Sequence, residues 1–119
     1  MITIIIAEDH QSLIDGIKLS LEFEGDITVV GEANDGDELI QLVRKKRPQV
    51  VITDIRMPGI SGIELIKKVS SINADIKVIL MSAFEINGDE LNELNYQEHL
   101  QKPIRMRELV STINQILKS

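Results

Sequence analysis

The chain has 119 residues, 43% of them hydrophobic, and its 13 basic and 19 acidic side chains give a net charge of −6. Its length suits a single domain, 1–119, and the absence of cysteine excludes a disulfide framework, a thiolate zinc site and a cysteine nucleophile. Its acidity disfavours direct binding to nucleic acid, and without an apolar run of about 20 residues or a signal peptide we expect a cytoplasmic protein that does not enter a membrane.

Strands and helices alternate in the predicted elements, because short β-branched runs are followed by apolar side chains three or four positions apart. In chain order they are a strand at 2–7, a helix across 11–21, a strand at 27–33, a helix across 39–47, a strand at 50–54, a helix across 63–69, a strand at 78–81, a helix across 88–94, a strand at 99–101 and a helix across 106–117. Ser61 is placed to cap the third helix, and the second helix ends in a basic run before Pro48.

Two of the five predicted strands are nearly all aliphatic. Strands of this kind are buried on both faces and belong to parallel sheets that helices cover on each side. Because crossovers between parallel strands are right-handed, the pattern predicts an α/β fold with a doubly wound, five-stranded parallel sheet and helices on both faces.

Polar side chains stand where the predicted strands end, which is where open α/β sheets bind ligands. Glu8 and Asp9 follow the first strand, Asp54 ends the third, Ser82 follows the fourth and Lys102 follows the fifth. Three carboxylates repel one another unless a cation joins them, and oxygen ligands favour Mg²⁺ or Mn²⁺. The lysine and the serine would complete a phosphate site. Acidic residues also serve as helix N-caps at strand ends, which would explain Glu8 or Asp9 alone but not the whole set.

Four segments of the chain together resemble one protein family: IIIAEDH at 4–10, VITDIRMPGISG at 51–62, LMSA at 80–83 and LQKP at 100–103. Through them the chain resembles the receiver domain of two-component response regulators over essentially its whole length. The aspartate followed by Met-Pro and Gly is the most specific element. The resemblance implies a flavodoxin-like sheet with strand order 2-1-3-4-5. It also implies a phosphorylation-controlled signalling switch rather than an enzyme that turns over a separate substrate.

The resemblance further implies how the acidic residues act. Asp54 would accept a phosphoryl group from a sensor histidine kinase or a phosphotransfer protein. Mg²⁺ would be held by Asp9, Asp54 and the backbone carbonyl of Arg56, and Glu8 would act on the metal mainly through a water. The chemistry would be in-line phosphoryl transfer, in which positioning and charge neutralisation do most of the work.

The remaining rim residues are implied to respond to the phosphoryl group. Lys102 would pair with Asp54 and then with phosphoryl oxygens, and Ser82 would hydrogen-bond the phosphoryl group. Pro103 would follow a cis peptide bond that aims Lys102 at the site. His99 stands where the family usually has an aromatic residue, either as a tolerated surface histidine or as part of the switch, and Phe84 is a candidate substitute. The face built from the fourth helix, the fifth strand and the fifth helix would carry the output and a possible homodimer.

Two other functions stay open at this point. An Mg²⁺-dependent phosphatase of similar fold commonly needs an aspartate two residues after its nucleophile, and Arg56 stands there instead. A pseudo-receiver that never takes phosphate is disfavoured by the complete set of rim residues. Residues 31–36 resemble receivers that precede helix-turn-helix DNA-binding domains, which makes transcription one candidate output, whereas the Lys102-Pro103 ending resembles other branches.

Overall fold

The structure, a computed structural model, describes residues 1–57, 59–83 and 96–118. Its elements are β1 (Ile2–Ala7), α1 (Gln11–Glu22), β2 (Ile27–Ala33), α2 (Gly36–Lys46), β3 (Val50–Asp54), β4 (Arg56–Met57), β5 (Ile60–Ser61), α3 (Gly62–Ile72), β6 (Lys77–Ser82), β7 (Glu98–Gln101) and α4 (Met106–Lys118). The predicted helix across 88–94 and the candidate switch residue Phe84 lie outside the described residues. Within the described ranges, no helix combines the length and apolarity needed to cross a membrane.

Five parallel strands form the main sheet in the order β2-β1-β3-β6-β7. This confirms the order 2-1-3-4-5, because β6 and β7 are the fourth and fifth strands of that sheet along the chain. The predicted fourth strand gains one residue at each end, and β7 begins at Glu98. β4 and β5 pair with each other antiparallel. Neither was predicted, because two-residue strands are too short to show a hydrophobic period.

Alternate positions along each strand enter two separate cores, one on each face of the sheet. Ile5 and Val51 pack with α2 and α3, whereas Ile4 and Ile52 pack with α1 and α4. The central strand β3 is buried at every position, which explains why its sequence reads as a continuous apolar run rather than an alternation. Helices therefore cover both faces, as the pattern predicts.

Polar side chains cap the N-termini of two of the helices. Asp35 Oδ1 accepts a hydrogen bond from the backbone N–H of Glu38 at 2.8 Å, and Ser61 Oγ accepts one from Glu64 at 3.2 Å. Caps of this kind contribute about 1 kcal/mol each. α2 ends at Lys46, and the residue that follows it, Arg47, has a φ of 48°, in the left-handed region. The cap at Ser61 confirms the predicted start of the third helix.

Candidate functional site

The carboxyl ends of β1, β3, β6 and β7 meet at one edge of the sheet, called here the rim. β1 and β3 end in register, so Glu8 and Asp54 lie level with each other. Ser82 is the last residue of β6, and Lys102 directly follows β7. The parallel topology therefore gathers side chains from distant parts of the chain at a single site.

Lys102 bridges two carboxylates of the rim. Its Nζ donates one hydrogen bond to Asp54 Oδ2, at 2.7 Å, and another to Glu8 Oε1. Glu8 is fully buried and Asp54 is 8% exposed. The peptide bond between Lys102 and Pro103 is cis. The resemblance implies the contact with Asp54, whereas the contact with Glu8 has no signal in the sequence, because the two residues are 94 positions apart.

Burial and hydrogen bonding together set the ionisation of these groups. Burial opposes the charge on Lys102, but hydrogen bonds to Asp54 and Glu8 outweigh it and raise the pKa of the ammonium. Burial raises the pKa of Glu8, and the hydrogen bond from Lys102 offsets this only in part. The side-chain hydrogen bond with Glu8 lowers the pKa of Asp9. The rim therefore carries a stable cation at Lys102, a readily ionised carboxylate at Asp9 and a buried carboxyl at Glu8 that holds its proton more tightly.

Both carboxylate oxygens of Asp54 are held in place. Oδ1 accepts a hydrogen bond from the backbone N–H of Arg56 at 2.9 Å, and Oδ2 accepts the one from Lys102. The backbone before Arg56 packs tightly on Gly62, where a Cβ would lie 2.4 Å from the carbonyl oxygen of Ile55. A glycine is needed at this position because of that close approach. A carboxylate oriented at both oxygens is suited to in-line attack on a phosphorus atom.

Asp9 and His10 lie at the exposed side of the rim. The backbone N–H of Asp9 donates to Glu8 Oε2 at 2.9 Å, and His10 Nδ1 lies 3.0 Å from Asp9 Oδ1 and 3.8 Å from Glu8 Oε2. One ligand atom from each of these three residues lies within 4.8 Å of the other two. Carboxylate oxygens at these separations fit a hard divalent cation such as Mg²⁺. Glu8 and Asp9 are predicted metal ligands, whereas His10 was not predicted, because its only signal in the sequence is its place next to them.

Ser82 contacts the neighbouring strand through its hydroxyl. In the β6–β7 register Leu80 pairs with His99, which places His99 diagonally across from Ser82 on the same face of the sheet. Ser82 Oγ lies 2.8 Å from His99 Nε2, within hydrogen-bond distance. Both residues are candidate site residues in the sequence, but their contact could not be predicted, because it depends on the register between two strands.

These features define the class of the protein, a flavodoxin-like α/β domain with an acidic, lysine-bridged site at the carboxyl edge of its sheet. A family model for the response regulator receiver domain matches residues 4–114. The solved signal receiver domain of the response regulator NarL from Mycobacterium tuberculosis is similar in structure, with a TM-score of 0.90 and 27% identity over 99% of this chain and 97% of that one. The chain therefore belongs to the response regulator receiver domain family.

Curated relatives are longer than this chain. It is 32% identical to the transcriptional regulatory protein YesN from Bacillus subtilis, over 98% of this chain and 33% of YesN. It is 34% identical to the sensory transduction protein LytT from Oceanobacillus iheyensis, over 99% of this chain and 49% of LytT. The chain thus spans a third to a half of the length of these relatives. As a receiver domain it is a phosphorylation-controlled signalling switch, a function favoured over the phosphatase and pseudo-receiver alternatives.

Proposed function

We propose that Asp54 accepts the phosphoryl group of a sensor histidine kinase or a phosphotransfer protein. The observation that carries this proposal is the anchoring of both Asp54 oxygens, one by Arg56 N–H and one by Lys102 Nζ, at the end of the buried central strand. As the ion-pair partner of Lys102, Asp54 reacts as a carboxylate, so the attack requires no general base.

In the proposed reaction, one oxygen of Asp54 attacks phosphorus in line as the bond from phosphorus to the donor nitrogen breaks. The donor imidazole leaves with the electron pair of that bond, and the domain then carries an aspartyl phosphate. The ammonium of Lys102 lies beside the Asp54 carboxylate and would neutralise charge on the phosphoryl oxygens, to one of which the Ser82 hydroxyl would donate. The domain would therefore catalyse only its own phosphoryl transfer and dephosphorylation.

Receiver domains use Mg²⁺ for phosphorylation, and this chain has oxygen donors for it at the rim. The proposed ligands are Asp9, Asp54 and the backbone carbonyl of Arg56, with Glu8 acting mainly through a water. When bound, the cation supplies charge neutralisation for the transferring group. The lowered pKa of Asp9 keeps that donor ionised, and the bond from Lys102 orients the Glu8 carboxyl.

The wider role of the domain is inferred from its relatives. YesN is described as a transcriptional regulator and is about three times as long as the matched region, so control of a transcriptional output domain is the proposed outcome of phosphorylation. Homodimerisation through the predicted helix at 88–94, β7 and α4 stays a prediction, since that helix lies outside the described residues. Contact with nucleic acid by this domain itself is not expected, and cytoplasmic location is part of the proposal.

Intact-mass measurement after incubation with acetyl phosphate and Mg²⁺ tests the proposal. We expect one phosphoryl group on the wild type, none on Asp54→Asn and slower labelling of Asp9→Asn, and EDTA should prevent labelling. The matched control is Asp75→Asn, at an exposed aspartate beyond α3, which should label as the wild type does. Labelling of Asp54→Asn at the wild-type rate would refute the assignment.

A further inference from the structure

We propose that the groove between α1 and α4 is the contact surface of a symmetric homodimer, so that its occupant is a second copy of this chain. The groove has a volume of about 950 Å³, and its apolar side chains are Leu19 and Phe23 from α1 and its end, and Met106 and Val110 from α4. None of its described lining residues belongs to the rim or to β7. The inference therefore goes beyond the proposed function, and the surface differs from the dimer face predicted through β7.

Two large apolar side chains of the groove are exposed to solvent. Phe23 is 87% exposed and Leu19 is 75% exposed, whereas Ile17 and Leu21 on the other side of α1 are fully buried. Residues four positions apart lie on one side of a helix, so Leu19 and Phe23 form a continuous apolar strip. Covering an aromatic side chain buries about 150–250 Å², and a symmetric dimer covers each residue twice. The strip would therefore supply roughly half of the area at which specific interfaces begin, about 1,200 Å².

Opposite charges stand at the two ends of the groove. Glu24 lies just beyond the end of α1, and Arg107 lies in the first turn of α4. Both helices follow strands that end at the rim, so they run in the same direction. They are level at Gly16 and Met106, because a Cβ on Gly16 would lie 3.7 Å from the Met106 methyl. With a rise of 1.5 Å per residue, Glu24 lies about 10 Å further from the rim than Arg107.

This separation makes the surface complementary to itself. A two-fold axis perpendicular to the groove turns one copy end over end, so Glu24 of each copy meets Arg107 of the other and two ion pairs form. Each chain carries a net charge of −6, so two copies repel each other unless the contact surface itself brings opposite charges together. The charge pattern therefore favours a second copy as the occupant.

The same axis also matches the apolar and the small side chains. It passes midway between the two charged positions, at the level of Ser20 and Ser111, whose small side chains allow the helices of the two copies to approach closely. It brings Phe23 of one copy between the levels of Met106 and Val110 of the other, where the groove is apolar. Aromatic side chains that enter such a groove usually contribute most of the binding energy of an interface.

Sedimentation equilibrium of the full chain, from micromolar to millimolar concentration and without phosphoryl donor, measures the association constant. Phe23→Ser should lower it by about tenfold or more. Glu24→Lys and Arg107→Glu should each lower it about tenfold, because two ion pairs become two repulsions, and the double variant should return to within about threefold of the wild type. The matched controls are Glu22→Lys and Lys45→Glu, which make the same charge changes at exposed positions outside the groove and should associate as the wild type does.

Three results would overturn the proposal. A chain that stays monomeric at millimolar concentration has no dimer surface, and its groove then serves another partner or none. A dimer that Phe23→Ser leaves intact forms elsewhere, for example at the face predicted through β7. A double charge variant no tighter than Glu24→Lys would exclude the two-fold arrangement. Phe23→Ser should accept phosphate from acetyl phosphate as the wild type does, so loss of the dimer is distinguishable from failure of the proposed function.

Discussion

Removal of the Lys102 ammonium should leave a buried charge whose effect on stability depends on pH. In Lys102→Met an unbranched apolar side chain replaces the lysine, but the fully buried Glu8 loses the hydrogen bond to its Oε1. Removing one partner of a buried ion pair usually costs about 3–5 kcal/mol. Glu8 can limit this loss by taking up a proton.

The cost of protonating Glu8 determines how much unfolding free energy Lys102→Met loses at each pH. An unfolded glutamate has a pKa of about 4.3, so protonating Glu8 costs about 3.7 kcal/mol at pH 7 and about 1 kcal/mol at pH 5. We expect the free energy of unfolding of Lys102→Met to fall by roughly 3 kcal/mol at pH 7 but only by about 1 kcal/mol at pH 5. Burial already raises the pKa of Glu8, so its protonated form favours the fold at low pH, and this contribution is lost as the pH rises through the raised value.

Urea unfolding at pH 5 and pH 7 in EDTA measures the effect. Far-ultraviolet circular dichroism is the suitable probe, because the chain has no tryptophan and one tyrosine. The control is the double variant Glu8→Gln/Lys102→Met, which removes both charges and should recover most of the loss at pH 7. Equal losses of unfolding free energy at the two pH values, or a double variant no more stable than Lys102→Met, would show that the unpaired Glu8 carboxylate is not the cause of the loss.

Three further predictions concern other parts of the domain. The Cβ of Gly62→Ala would meet a backbone oxygen at 2.4 Å, so this variant should lose about 1–3 kcal/mol of unfolding free energy in urea and should label slowly with acetyl phosphate. The control is Gly16→Ala in α1, whose Cβ would have only a side-chain methyl at 3.7 Å. This variant should gain about 0.5–1 kcal/mol of unfolding free energy. Similar unfolding curves for the two variants would contradict the tight packing at Gly62. Asp35→Ala should lose about 1 kcal/mol in the same assay through its cap on α2, and unchanged stability would mean that water replaces the cap. His99→Leu removes the imidazole that contacts the Ser82 hydroxyl, so this hydroxyl can donate to beryllofluoride without first breaking that hydrogen bond. The affinity for beryllofluoride, measured by ¹⁹F NMR, should therefore rise roughly two- to tenfold. An unchanged affinity would show that the hydrogen bond between Ser82 and His99 persists when beryllofluoride binds.

Much of the fold could be predicted because its signals are local. The β-branched run of β1 and the aliphatic run of β3 each end at a carboxylate, and both strands have the predicted bounds, Ile2–Ala7 and Val50–Asp54. Ser61 predicts the start of α3, because its hydroxyl can cap the helix. The strands β4 and β5 could not be predicted, because two residues are too few to show an alternation of apolar and polar side chains.

The candidate site was predictable as a set of residues but not as a set of contacts. Asp54 and Lys102 stand in recognisable motifs at strand ends, and parallel topology brings such ends together. Which atoms meet depends on strand register and on side-chain reach, so the bond from Lys102 to Glu8 and the contact between Ser82 and His99 could not be derived from local patterns. The ring position of His10 depends likewise on how α1 begins.

The ion pair between Glu8 and Lys102 also bears on how the domain matures. It joins the first and the last strand along the chain, and contacts of such long sequence separation form only once the intervening segments have closed. During synthesis Asp54 emerges well before Lys102, so a nascent or truncated chain has the carboxylate of Asp54 without the ammonium that pairs with it in the folded domain. If phosphoryl transfer to Asp54 depends on this ammonium, as proposed above, only chains whose last strand has joined the sheet can be phosphorylated, and incomplete chains should not compete with them for the phosphoryl donor.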